Sequence, residues 1–397
     1  MRPYILSWIC FLSIFPLSAF AGNLDEIALV LLKGSNGYRS DSLSVVTLTK
    51  SMAAENNLPD PQLGGEYLVA PPDEANRWAT ELSWEIEWPG VYNAKGKETD
   101  KRIQLARQNL YAKNIDKLSE IKSLLLDYIL CKKKLELLEE LSCNNDSIYR
   151  LAEKAAQGGE ITALDLNKIR LEYANIRTAK AGIINEEASI EANLSEIFGQ
   201  NPTPILQQLD CNFPEIHIPE ETEIMTAGIR SAALRSAKTE TEVARLNKKT
   251  VSMEALPSLS VGYKHAYEEG IHFNGALLGI SIPIFSSRGK QKAAQAAITE
   301  AEYNEETTKL SAETSARQLL KQLIVLKNQI DEIEPILKNS DHNTLLLKAY
   351  EGGIMTLIEY IAERNYYTNA GMELLSLQHA AALTQSHLTK YVDSPDF

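Results

Sequence analysis

Residues 350–360 read YEGGIMTLIEY and place two adjacent glycines between long segments with helical apolar spacing. Each glycine in a helix interior costs about 1 kcal/mol relative to alanine, so the pair predicts a break in the helix. A related stretch, AQGGEITALDL, stands at residues 156–166, so that Gly158 and Gly352 are 194 residues apart. In both stretches the glycines are followed by a threonine, two apolar residues and an acid. This agreement predicts a chain built twice.

Other segments recur at nearly the same offset. PQLGGEYLV begins at residue 61 and PSLSVGY at residue 257, while Pro89 and Pro283 are again 194 residues apart. We therefore predict a first repeat at residues 22–200 and a second at 221–397. Residues 201–220 contain four prolines and should not continue a helix, so they are predicted to be a linker.

Each repeat has the same predicted order of two strands followed by a long helical hairpin. The strands are expected at about 61–70 and 78–88 in the first repeat and at about 258–267 and 273–284 in the second. The hairpins are expected at about 95–198 and 287–393. Apolar residues recur at steps of three and four, as in Leu118, Ile121 and Leu125, and this spacing predicts long amphipathic helices that pack lengthwise as in a coiled coil.

The strand region 78–88 alternates between apolar and polar residues. Leu82, Trp84, Ile86 and Trp88 fall on one face, and the acids on the other, since strand side chains have a period of two. Strands with one apolar face and tryptophans near one end are typical of an outer-membrane β-barrel. The alternative is a soluble antiparallel sheet that rests on a core.

Four strands in one chain cannot close a barrel, and an open sheet edge is not viable in lipid. If the strands cross a bilayer, the chain must therefore oligomerise, and three copies would supply twelve strands. Glu81, Glu85 and Glu87 would then face a water-filled lumen. In the soluble alternative these three acids lie on a solvated sheet face.

The first 21 residues have the pattern of a secretory signal peptide. Arg2 precedes an apolar run at residues 5–17, and Ala19 and Ala21 form a small-residue cleavage site. The chain has a formal net charge of −13 and no basic stripe, which argues against a nucleic-acid partner. Cys131 and Cys143 are twelve residues apart on one predicted helix, about 18 Å, which is too far for a disulfide.

These features together resemble the TolC family of outer membrane efflux proteins. The resemblance rests on the duplicated strand pairs and hairpins, on LPSLSVGY and GISIPIFSSRGK in the second repeat, and on the two glycine-bearing stretches. It implies a mixed fold, in which a homotrimer closes a twelve-stranded membrane β-barrel and continues as a long α-helical coiled-coil barrel through the periplasm. The 201–220 linker would be equatorial. Strand ends with a Trp-Pro or Ile-Pro pair resemble the heavy-metal and cation efflux branch, although drug-efflux members share much of the pattern.

The same resemblance implies a function and partners. The protein would be the outer membrane channel of a tripartite efflux system, an exit duct for metal cations or drugs delivered by a periplasmic adaptor and an inner-membrane pump. The periplasmic tips would dock the adaptor. The residues expected at the tips are Gly158, Gly159, Thr162, Gly352, Gly353 and Thr356.

An acid after the second tip projects into the tunnel entrance in this family, and the matching residue is Glu359, with Asp165 as its first-repeat counterpart. Three like charges in a narrow pore attract cations and raise one another's pKa. Met355 and Ala362 stand where some members carry a basic and an acidic residue, so the closing network is expected to be weaker. The alternative is that Glu359 is a solvated helix-face acid.

Enzymatic activity finds no support in the sequence. It contains no G-x-S-x-G, no phosphate-binding loop and no H-E-x-x-H motif, so no catalytic, cofactor or metal site is predicted. The six histidines are scattered, and His379 and His387 are too far apart for a helical ligand pair. The competing function is that of a secreted or periplasmic helical-repeat structural protein without channel activity.

Overall fold

The structure is a computed structural model that describes residues 23–72, 76–222, 224, 231–283, 287–338 and 342–392. Side chains are described for these residues except 141–147, 343 and 392. The predicted signal peptide and the Cys143 side chain lie outside this description.

The chain is mostly helical and carries four strands among its described residues. The helices are α1 (Leu24–Gly34), α2 (Asn36–Glu55), α3 (Pro89–Gln157), α4 (Ala163–Phe198), α5 (Thr203–Leu206), α6 (Ala232–Met253), α7 (Ser287–Lys338), α8 (His342–Glu351) and α9 (Leu357–Val392). The strands are β1 (Gln62–Leu68), β2 (Arg77–Ile86), β3 (Ser258–Glu268) and β4 (Ile271–Ser281).

The four strands form one antiparallel sheet in the order β1-β2-β3-β4. The central pairing, β2 with β3, joins the two repeats, so neither strand pair forms a sheet by itself. Within the described part of the chain, β1 and β4 are hydrogen-bonded to a strand on one side only. The predicted set of four strands is therefore confirmed, and the sheet has two open edges.

The helix that follows β2 begins earlier than the sequence indicated. β2 ends at Ile86 and α3 begins at Pro89, whereas the strand was expected to reach about residue 88 and the hairpin to begin near 95. Proline is favoured in the first helical turn because its fixed φ suits the helix and its missing N–H has no helical partner there. At 69 residues α3 is about 100 Å long.

The core lies along the helices rather than under the sheet. Leu118, Ile121 and Leu125 of α3 are buried together with Leu194 of α4, as the three-and-four spacing predicts. Cys131 belongs to the same cluster, and burial raises the pKa of its thiol to about 11. Among the described residues, no helix combines the length and the apolar character needed to cross a membrane.

The linker between the repeats packs against the helices. It contains the short helix α5, and Leu206 and Leu209 insert into the core formed by α1, α3 and α4. Pro204 stands in the first turn of α5, where proline is tolerated.

Candidate functional site

One face of the sheet carries most of its large apolar residues and is exposed; Thr80, His265 and Asn274 form a polar row on it. The pairing register aligns Leu63, Leu82, Tyr263 and Ala276 in a row across all four strands. Because directly paired residues point to the same side, this row and the rows two residues away form one face. Leu63 is 79% exposed, Leu278 84% and Ile280 66%, so this face is not covered by any described part of the chain.

Aromatic side chains stand at both ends of this apolar face. Tyr67, Trp78, Tyr267 and His272 form a row near the β1–β2 and β3–β4 connections. At the opposite end Trp84 donates its indole N–H to the Pro59 carbonyl oxygen at 2.7 Å. The sequence predicted tryptophans near one end only. The row at the β1–β2 and β3–β4 connections was missed because it is assembled from four strands, and only the pairing register brings its members together.

The opposite face of the sheet carries the acidic residues. Glu81 is paired with Lys264 in the register, and Glu85 accepts a hydrogen bond from the Ser258 hydroxyl at 2.7 Å. Glu81 and Glu85 therefore share one face, as the alternation predicts. That this face lines a lumen remains a prediction.

Glu87 lies just beyond the end of β2. Its carboxylate accepts a hydrogen bond from Lys95 Nζ at 2.8 Å, and the same ammonium is 3.2 Å from a carboxylate oxygen of Glu254. Burial lowers the pKa of Lys95, but the hydrogen bonds to Glu87 and Glu254 outweigh burial and raise it overall. Glu87 thus connects the end of β2 to α3, and through Lys95 to Glu254 just after α6. Its place among lumen acids stays a prediction.

The two glycine pairs make the same turn. In the first tip the Gly159 N–H donates to the Ala156 carbonyl and the Glu160 N–H to the Ala155 carbonyl. In the second tip Gly353 donates to Tyr350, and Ile354 to Ala349, at equivalent positions. This hydrogen-bond pattern is the Schellman motif, which requires a left-handed residue after the helix.

Glycine supplies that left-handed residue in both tips. Gly159 has φ +75° and Gly353 has φ +68°, values that L-residues with a side chain rarely adopt. A glycine pair therefore ends α3 and α8 at the predicted turns.

The next helix begins with a side-chain cap in both tips. The Thr162 hydroxyl oxygen accepts the Asp165 N–H at 3.1 Å and donates its proton to the Asp165 carboxylate at 2.7 Å. In the second tip, the Glu359 carboxylate accepts both the Thr356 N–H at 2.8 Å and the Thr356 hydroxyl at 2.9 Å. The second arrangement is a capping box, which the Thr-x-x-Glu spacing could have indicated.

The capping contacts lower the pKa of both acids. For Glu359 the main cause is the hydrogen bond from the Thr356 backbone N–H, and for Asp165 it is the hydrogen bond from the Thr162 hydroxyl. Within one chain, Glu359 therefore acts as a helix cap. Its role in an acid ring at a tunnel entrance remains a prediction.

The two tips are brought together by one apolar cluster. Ala152 and Ile169 of the first hairpin pack with Leu357, Tyr360 and Ile361 of the second. Met355 joins this cluster from its edge, whereas Ala362 is exposed. The sequence did not indicate Arg364, which is buried beside this cluster with its guanidinium 5.8 Å from the Tyr360 ring centroid. Burial lowers the pKa of Arg364.

No family model matches the sequence, and no curated protein matches it. Solved structures do match the fold. The Campylobacter jejuni CmeC outer membrane channel superposes with a TM-score of 0.77 at 16% identity, over 93% of this chain and 85% of that one. The open state of the Neisseria gonorrhoeae MtrE outer membrane channel gives 0.75 at 14% identity, over 96% and 93%.

The chain has the fold of an outer membrane channel. CusC, whose crystal structures were described for folding and transmembrane channel formation, superposes equally well, with a TM-score of 0.75 at 17% identity over 94% of this chain and 92% of CusC. The resemblance to the TolC family drawn from the sequence is thus confirmed at the level of the fold.

Proposed function

We propose that this protein is the outer membrane channel of a tripartite efflux system. It would assemble as a homotrimer whose twelve strands close a barrel in the outer membrane and whose helices extend through the periplasm. The hairpin tips would dock a periplasmic adaptor coupled to an inner-membrane pump. The exported substrate would be a metal cation or a drug, chosen by the pump and adaptor.

The observation that carries this proposal is the combination of an exposed apolar face with two open edges. A four-stranded sheet in water would place its apolar face on a core, yet Leu63 and Leu278 are among the most exposed large apolar residues of the described chain. Pairing β4 of one protomer with β1 of the next would satisfy both edges at once. Closure is required in lipid because unpaired backbone groups have no water to bind.

The dimensions of the apolar face fit a membrane. The ten residues of β2 separate its two ends by about 33 Å in an extended strand. At a tilt of about 40° this separation spans about 25 Å, the height of the apolar band between the aromatic girdles of outer-membrane barrels. The aromatic row that contains Trp78 would then lie at one membrane surface, and Trp84 would lie toward the other.

Two adjacent residues of β2 provide a direct test. Leu82 lies in the middle row of the apolar face, and Ser83 follows it on the polar face. Arginine at a lipid-facing midplane position costs about 2–4 kcal/mol, whereas a lumen position tolerates it. Leu82→Arg should therefore prevent assembly of a detergent-extracted trimer, and Ser83→Arg should leave assembly intact. Membrane fractionation followed by mass measurement in detergent gives the readout.

The competing function predicts a different result. In a periplasmic helical-repeat protein Leu82 would be half-exposed to water. Both arginine variants would then be recovered as folded monomers without detergent extraction. That outcome, or a wild-type protein recovered without membrane extraction, would overturn the channel proposal.

The acid ring can be tested on the same trimer in planar bilayers. Glu359→Ala removes both the charge and the cap, while Glu359→Gln removes the charge but keeps a capping-box residue. If three Glu359 carboxylates line the entrance, both variants should weaken cation preference or change open-channel conductance. If only Glu359→Ala alters conductance, the cap rather than the charge is responsible, and unchanged values in both variants would exclude Glu359 from the entrance.

A further inference from the structure

Two histidines meet across the β3–β4 pair, near the turn that joins these strands. His265 of β3 and His272 of β4 have their Nε2 and Nδ1 atoms 3.3 Å apart, with ring centroids separated by 5.3 Å and planes inclined by 19°. His265 is half-buried and His272 is exposed. They are seven residues apart in sequence and on different strands, so no helical ligand spacing could have indicated them.

The hydrogen bonds around His265 determine which of its nitrogens is free to bind. Its Nδ1 lies 2.7 Å from the Asn274 side-chain oxygen, which can only accept, so Nδ1 carries the proton. The Tyr263 hydroxyl donates to the same oxygen at 2.6 Å and holds Asn274 in place. The lone pair of His265 Nε2 is therefore directed toward His272.

This arrangement matches the supporting shell of metal-binding histidines. Such residues almost always donate their second ring N–H to an oxygen, which fixes the tautomer and the ring orientation. Two nitrogens bound to Zn²⁺ at 2.0–2.1 Å with a tetrahedral angle are about 3.3–3.4 Å apart. The observed separation of 3.3 Å thus suits two ligands of one ion with little movement of either ring.

We propose that His265 and His272 form a two-imidazole site for a borderline divalent metal ion such as Zn²⁺ at the end of the sheet near the β3–β4 turn. His265 binds through Nε2 and His272 through Nδ1, while the His272 proton resides on its Nε2. In the described part of the chain, no group of three or more histidine, cysteine or acidic side chains is arranged to hold a metal. Water or an external ligand therefore fills the remaining positions, as in other open zinc sites.

The competing interpretation is a structural pair. The His265 ring also lies 5.3 Å from the Trp78 ring, and the His272 ring lies 5.0 Å from that of Tyr267. In that interpretation the histidines serve only as members of the aromatic row and share a proton between them.

Titration calorimetry with Zn²⁺ alone distinguishes the two interpretations. The full chain is purified in detergent through a tag that contains no histidine. We expect one Zn²⁺ per chain, at least tenfold weaker binding in His265→Ala and in His272→Ala, and about tenfold weaker binding in Asn274→Ala, which keeps both ligands but removes the orienting oxygen. His342→Ala, which removes a histidine stacked on Tyr367 in the helical region, should bind as the wild type does.

Thermal unfolding and oligomer mass show whether each variant is folded. If His265→Ala does not fold, His265→Gln replaces it. Electron paramagnetic resonance with Cu²⁺ should show two nitrogen ligands in the wild type and one in each single histidine variant. No Zn²⁺ binding by the wild type, or binding unchanged in the double variant His265→Ala/His272→Ala, would overturn the proposal. The assay measures binding alone, so its result is independent of whether the protein forms a channel.

Discussion

The two hairpin tips share a backbone but differ in how a carboxylate completes the cap. Both use the same pair of backbone hydrogen bonds and a left-handed glycine. Glu359 is one methylene longer than Asp165 and reaches back to the Thr356 N–H at 2.8 Å, whereas the main hydrogen bond of the Asp165 carboxylate comes from the Thr162 hydroxyl at 2.7 Å, with Lys168 at 3.6 Å. The duplicated turn is therefore fixed by backbone geometry, and the caps have been free to diverge.

The glycines of each pair also differ in what requires them. A Cβ added to Gly159 or Gly353 would meet nothing within 4 Å, so only their positive φ demands glycine. A Cβ on Gly352 would lie 3.1 Å from the Lys348 carbonyl oxygen, while on Gly158 its nearest neighbour would be 3.5 Å away. Gly159 and Gly353 are thus required for the same reason in the two tips, whereas Gly158 and Gly352 have different surroundings.

The largest effect is expected from replacing the left-handed glycines. Gly159→Ala and Gly353→Ala should each destabilise the protein by about 1–2 kcal/mol, since that is the cost of a left-handed L-residue. Gly182, inside α4, has open space around it and no positive φ, so Gly182→Ala should instead stabilise by about 0.5–1 kcal/mol. Thermal unfolding followed by helical circular dichroism measures all three. A lower melting temperature in Gly159→Ala and Gly353→Ala with a higher one in Gly182→Ala would support the comparison. A lower melting temperature in all three variants would contradict it.

These tips also show how far the sequence could predict the structure. The glycine pair and its repetition 194 residues later indicated two turns, because glycine in a helix is costly wherever it occurs. The packing of Ala152 and Ile169 against Leu357 could not be predicted, since it joins hairpins that no local pattern connects. The same reason hid the aromatic row at the β1–β2 and β3–β4 connections and the His265–His272 contact, which exist only through strand pairing.

The strands show where a local signal was sufficient. The alternation around Leu82 and Glu81 correctly separated the two faces, because a strand's period of two is independent of its neighbours. The end of β2 was set by Pro89, which begins the following helix. The preference of proline for the first helical turn was available in the sequence but was not used in the prediction.

The threonine caps should give the next largest effect, and it should be unequal. Thr162→Ala removes both hydrogen bonds of the Thr162 hydroxyl with Asp165 and should cost about 1 kcal/mol, the usual value of an N-cap. Thr356→Ala should cost less, because the Thr356 backbone N–H can still donate to Glu359. Serine at either position keeps the hydroxyl and serves as the control in thermal unfolding. If Thr356→Ala loses as much stability as Thr162→Ala, or more, the Glu359 carboxylate does not cap its helix without the Thr356 hydroxyl.

Acid titration tests the caps formed by both carboxylates. The folded-state pKa of Glu359 is lowered, so the stability it adds is present above its unfolded pKa and is lost as pH falls through the folded value. Below about pH 4 the melting temperature of the wild type should therefore approach that of Glu359→Gln. Asp165→Asn should show the same convergence, since the pKa of Asp165 is also lowered. If the difference in melting temperature between the wild type and either variant grew as pH falls, the predicted direction of the pKa shift would be contradicted.

The smallest effect tests the first glycine of each pair. Gly158 has φ −78°, and a Cβ there would make ordinary contacts, so Gly158→Ala should be neutral or slightly stabilising. Gly352→Ala should destabilise the protein by a few tenths of a kcal/mol, which is within the usual range for an exposed position. The added methyl group would crowd the Lys348 carbonyl oxygen, which already accepts a hydrogen bond from the Gly352 N–H. The difference between the two melting temperatures is the measurement. Equal values would mean that the α8 terminus relaxes to admit the methyl group, and that both tips tolerate a side chain at this position.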